Sequence, residues 1–114
     1  MKTWYSIAAE FGKTPSARKE EEGKLSGIEL RNNLKVLIRQ NIEANERITI
    51  DMDGTAGYGT SFLEEVFGGL VRVEGFTLAE LERHMVIKTT EDPDLEDEIW
   101  EDIRDAEEEK HGLV

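Results

Sequence analysis

The side chains best suited to covalent chemistry in this 114-residue chain stand together at Asp51-Met52-Asp53-Gly54-Thr55. A carboxylate at a strand end can attack a phosphoryl group. A second carboxylate two residues on can serve as acid/base, with Mg²⁺ neutralising the developing charge. Asp51 and Asp53 would fill those two roles. A few residues further, Thr60 and Ser61 offer hydroxyls for a different use. A phosphate placed there, at a helix start, would be stabilised by free backbone amides and the helix dipole while adding about two negative charges to a surface.

Both possibilities depend on the elements around them. "RITIDMD" alternates Ile48, Ile50 and Met52 with polar residues and is rich in β-branched side chains, which predicts a strand ending at the carboxylates. A glycine-rich turn, "GTAGYG", leads into "TSFLEEVFGGLV", where Ser61 and Glu64 are spaced as a capping box and Phe62, Leu63, Val66, Phe67 and Leu70 cluster on a helical face. Gly68 and Gly69 weaken that helix or let something pack closely against it.

Upstream, "KTWYSIAAEFG" predicts an opening strand, and "KTPSARKEEEGKLSG" a surface loop. Ser26 and Glu29 form a capping box with Leu25 and Leu30 as its hydrophobic staple; Leu30, Leu34, Leu37, Ile38 and Ile42 then lay an apolar stripe along a helix ending near Asn45. Downstream, Thr77 and Glu80 open a short helix, "MVIKTT" reads as a strand, and Asp92 as N-cap with Pro93 at the first helical position opens a last helix over about 93–111. Leu95, Ile99, Trp100, Ile103 and Ala106 are its apolar stripe. Strands alternating with helices imply an α/β fold, a small mixed or partly parallel sheet packed with helices, in one domain spanning 1–114.

Composition narrows the function. With no cysteine there is no disulfide, thiolate metal site or cysteine nucleophile. His84 and His111 lie far apart without metal-ligand spacing, so each is expected at the surface, with no metal or cofactor. The absence of a leader-like or membrane-spanning apolar run makes the cytoplasm the expected location. Of the formal charge of −12, a net −10 falls between Glu91 and His111. That acidity disfavours direct binding to nucleic acid or anionic lipid and permits a basic protein partner.

The Asp-x-Asp-Gly-Thr run matches the nucleophile motif of haloacid-dehalogenase-type phosphohydrolases, but only about sixty residues follow it. Those residues must still supply a phosphate-binding hydroxyl, a lysine and an acidic metal loop, for which Lys88 and "EDPD" are poor substitutes. The plainer reading is a strand-end turn, since Asp-Gly is a turn dipeptide in its own right.

Taken with "SIAAEFG", "SGIELRNNL" and "EDPDLEDEIW", the stretch "DMDGTAGYGTSFLEEVFGGL" resembles the STAS-like domain family of unknown function, small bacterial and phage proteins distantly similar to anti-sigma-factor antagonists. The resemblance implies a STAS-like sandwich without phosphatase activity. Better-known STAS domains carry Asp-Ser-(Ser/Thr)-Gly at the helix start after the central strand, where a GHKL-type ATPase/kinase phosphorylates the first hydroxyl. That motif falls on Gly59-Thr60-Ser61-Phe62, which makes Thr60 and Ser61 the phospho-acceptor candidates; Gly59 replaces the aspartate and Phe62 the glycine. The resemblance therefore implies a non-enzymatic regulatory module that binds a protein partner, such as a GHKL-type ATPase/kinase, through Gly57, Tyr58, Gly59 and Phe62. Two alternatives stand beside it: an acidic inhibitor whose last helix mimics nucleic acid, and the phosphohydrolase. For Ser61 the structural alternative is a simple N-cap, and for Tyr58 and Phe62 it is core burial.

Overall fold

In the computed structural model, which describes residues 1–15 and 26–112, three short strands form one sheet in the order β1 (Trp4–Ser6), β2 (Ile48–Asp51), β3 (Met85–Lys88). All pairings are parallel, with Tyr5 beside Ile50 and Ile50 beside Ile87. The expectation of a mixed or partly parallel sheet is thereby sharpened to a wholly parallel one. Each strand is followed by helical structure before the next, as parallel neighbours require.

The opening strand is shorter than expected. After Ser6 the chain turns into α1 (Ile7–Glu10), because the Ser6 Oγ accepts from the Ala9 N–H at 3.2 Å and caps a helical turn. Of the expected loop at 13–27, residues 16–25 lie outside the described residues, as does Leu25 of the expected staple. Ser26 caps α2 (Gly27–Glu43), its Oγ accepting from Glu29 N–H at 3.1 Å. The helix ends where expected, with Asn45 in the left-handed region at φ 55°.

Tyr5, Ile48, Ile50, Met85 and Ile87 share one sheet face and are buried, joining Leu30, Leu34 and Ile38 of α2 in a single core. The alternation read in "RITID" is thus real: Ile48 and Ile50 face inward, Thr49 and Asp51 are half-buried. α5 (Leu78–His84) starts at a complete capping box between Thr77 and Glu80. α6 (Asp94–Lys110) buries Leu95, Ile99, Ile103 and Ala106 of its stripe, while Trp100 is half-buried against the core. Its first turn differs by one residue from the expectation: Pro93 is the N-cap and already helical, while Asp92 contributes its carbonyl to Leu95 N–H at 3.1 Å.

The helical run after β2 is not a uniform helix. It comprises α3 (Thr60–Leu63), a π turn (Glu64–Gly68) and α4 (Gly69–Arg72). Residues 66–71 are all buried, because the π turn packs against both α2 and α6. Gly27 lets α2 approach: a Cβ there would lie 3.1 Å from Glu65 Cβ and 3.3 Å from the Phe62 carbonyl. Among the described residues no helix is long and apolar enough to cross a membrane.

Candidate functional site

β2 and β3 end side by side, which places Asp51 next to Lys88 in the sheet register. Asp53, just beyond the strand, accepts from four donors: Lys88 Nζ at 2.8 Å, Thr90 N–H at 2.9 Å, Thr90 Oγ1 at 2.6 Å and Glu91 N–H at 3.0 Å. Glu91 returns the contact, its Oε1 accepting from Gly54 N–H at 2.7 Å. The Glu91 N–H, followed by Lys88 and Thr90, holds the Asp53 carboxyl far below the usual carboxylate range. The hydrogen bond to Asp53, with the charges of Asp51 and Asp53, pushes the Lys88 ammonium up in turn. A carboxylate so fully occupied has no free lone pair aimed outward and no proton to give near neutral pH. Its position ties the end of β2 to the connection entering α6. Asp51 is drawn in as well, its Oδ1 accepting from Asp53 N–H at 3.0 Å and lying 3.5 Å from Lys88 Nζ.

Beyond the clasp the chain runs through Gly54 at φ 91° and Gly57 at φ 127°, conformations that L side chains rarely adopt. Tyr58 anchors the far side of this loop. Its hydroxyl donates to the Met52 carbonyl at 2.8 Å, and its ring stacks on Phe62 with centroids 6.1 Å apart. Burial, reinforced by the negative charges of Asp51, Asp53 and Glu91, pushes the Tyr58 phenol up to about 12. A cleft of about 150 Å³ opens between this loop and α6, with Met52, Tyr58 and Leu95 as apolar wall and Asp53, Glu91 and Glu98 as acidic rim.

Thr60 and Ser61 are both exposed at the head of α3. The expected capping box does not form. The helix starts two residues early, with Gly59 as N-cap and no side-chain cap, so Ser61 sits at the second helical position. Glu64 is engaged elsewhere, its Oε2 2.6 Å from Arg72 Nη2. Gly57 and Gly59 are exposed and Tyr58 is half-buried. Phe62 must be moved out of the docking set: at 1% exposure it belongs to the core and reaches the loop only through the Tyr58 ring.

Sequence spacing could not show that Thr90 and Glu91 complete the Asp53 shell, because they come from another strand connection. Lys88, by sequence a poor substitute for a catalytic lysine, reaches both aspartates, Asp51 at 3.5 Å and Asp53 at 2.8 Å. His84 is not a surface residue as expected; it is 6% exposed and its Nδ1–H donates to the Glu46 carbonyl at 2.8 Å, which joins the start of β3 to the turn after α2. His111 is exposed beside Glu107. Among the described residues no group of three or more His, Cys, Asp or Glu side chains is arranged to hold a metal.

No curated protein and no solved structure gives a significant match to the chain. A family model, the STAS-like domain of unknown function (DUF4325), matches residues 26–95. That span runs from the cap of α2 to the first turn of α6 and contains β2, β3, the clasp and the whole loop between Met52 and Thr60. The chain belongs to this family of STAS-like domains.

Proposed function

We propose that the protein is a non-enzymatic regulatory module, a STAS-like sandwich acting in the cytoplasm, that binds a protein partner through the loop from Gly57 to Ser61. Thr60 and Ser61 are its phospho-acceptors and a GHKL-type ATPase/kinase its partner. The observation that carries the reading is the combination of exposure and idleness at Thr60 and Ser61: neither hydroxyl caps the helix, while the loop before them is held by Tyr58 and the Asp53 clasp. A rigid loop presents the hydroxyls at little ordering cost to a partner. A phosphate four residues ahead of Glu64 would add charge to an already acidic surface and repel an acidic partner face.

Incubation with a GHKL-type kinase and ATP, followed by mass spectrometry, tests this: phosphate is expected on Thr60 or Ser61, and its absence from both removes the switch. The saturated Asp53 argues against hydrolysis. A Mg²⁺-dependent phosphatase rate lost in Asp51→Asn would restore the enzyme reading.

A second reading has its own support. On α6, Asp94, Glu96, Asp97, Glu101, Asp105 and Glu108 are exposed, a row of charge suited to a basic groove. An inhibitor that mimics nucleic acid in this way would bind with steep salt dependence, lost when those six residues are neutralised.

A further inference from the structure

Asp102 lies on α6 where that helix meets the π turn and α4, and its Oδ2 is buried without a hydrogen-bond partner. The groups around it make matters worse. From the π turn it faces Glu64, and along its own helix Glu98, Glu101 and Asp105. The cation of α4, Arg72, is committed to Glu64 at 2.6 Å and to Glu109 at 3.2 Å. A half-buried carboxylate with one oxygen enclosed and unpaired among carboxylate neighbours is costly in its ionised form and comfortable when protonated.

We propose that α6 docks on the π turn through a contact that tightens in acid and loosens towards neutral pH, with Asp102 as the group that sets it. Burial, then Glu64, Glu98, Asp105 and Glu101, pushes the Asp102 carboxyl up to about 6. A carboxyl raised in the docked state favours docking fully below its free value of about 4, and that advantage drains away as pH rises through about 6. Over that interval the opening equilibrium of α6 changes by up to about 100-fold. Near neutral pH α6 therefore opens more readily than in acid, uncovering Val66, Phe67 and Leu70 of the run it covers. This device does not depend on the loop at Thr60.

Hydrogen exchange of the full chain tests it, with α2 amides as internal reference and His111→Gln as background so that the pairing with Glu107 is constant. Opening of α6 relative to α2 is expected to rise about tenfold between pH 5 and pH 7.5. In Asp102→Asn the rise disappears and α6 stays protected at pH 7.5. A tenfold rise that survives in Asp102→Asn overturns the proposal, as does a flat profile in the parent. Carboxyl ¹³C titration of the unmutated chain gives an independent decision: a midpoint near 6 for Asp102 supports the device, and one in the ordinary carboxylate range overturns it.

Discussion

The Nη1 of Arg31 lies 2.8 Å from the main-chain carbonyl of Glu65, inside the π turn, and 3.0 Å from the same residue's carboxylate. A π turn inserts one extra residue into the helical ladder and disturbs its carbonyl pairing. Arg31 supplies a charged donor at that point. Its Nε also donates to Glu74 Oε2 at 3.1 Å, so one nearly buried guanidinium joins α2 to both ends of the run from Glu65 to Glu74. Gly69 makes room for it: a Cβ there would come within 2.6 Å of Arg31 Nη1 and 2.8 Å of its Cδ.

Arg31→Met should therefore cost about 3 kcal/mol, because the carboxylates of Glu65 and Glu74 lose their shared buried partner. Gly69→Ala should cost about 1–3 kcal/mol by displacing the same side chain. Gly59→Ala is the control. Nothing lies within 4 Å of a Cβ there and φ is −75°, so it should leave stability within about 0.5 kcal/mol. Urea denaturation at pH 7 measures all three. Equal losses at Gly69 and Gly59 would mean that replacing a glycine, and not the Arg31 contact, sets the cost.

Much of this arrangement was legible in the residues. The stripe at Leu30, Leu34 and Ile38, the alternation at Ile48 and Ile50 and the box at Thr77 and Glu80 are local patterns, and each forms where its spacing says. The π turn was only half legible. Gly68 and Gly69 announce a weak helix or a close approach, but the approaching group, Arg31, is 38 residues away in sequence from Gly69. Ser61 and Glu64 show the opposite case: the helix starts at Thr60 and Glu64 pairs with Arg72, so a valid local pattern does not form its box. The Asp53 shell was illegible for the same reason: its donors come from the end of β3 and the connection beyond it.

Asp53→Asn should weaken the clasp between β2 and the connection to α6. Hydrogen bonds to a charged acceptor are each worth about 1.5–3 kcal/mol, and the asparagine keeps only part of the set, so a loss of about 2 kcal/mol at pH 7 is expected. The pH dependence has a definite sign. A carboxyl whose folded pKa is depressed stabilises the fold above its unfolded value and loses that contribution as pH falls towards the folded value. The stability gap between parent and Asp53→Asn should hold from pH 7 to about pH 5 and narrow below about pH 4. Denaturation midpoints at pH 7, 5 and 3 provide the check. A gap that stays constant down to pH 3 would show that shape and not charge holds the clasp.

Ser61 and Thr77 present the same sequence pattern, a hydroxyl three residues before a glutamate, and differ in the structure. Thr77 Oγ1 accepts from Glu80 N–H at 3.1 Å and Glu80 Oε1 accepts from Thr77 N–H at 3.0 Å, whereas Gly59 caps α3 and leaves Ser61 without a capping bond. Thr77→Ala should therefore cost about 1 kcal/mol, and Ser61→Ala and Thr60→Ala less than about 0.5 kcal/mol each. Thermal unfolding of the three variants under one buffer reads the contrast directly. A loss at Ser61 as large as that at Thr77 would mean that the serine is held by its structural task. Near-neutral replacement would show that the hydroxyl has no structural task, which the proposed modification requires.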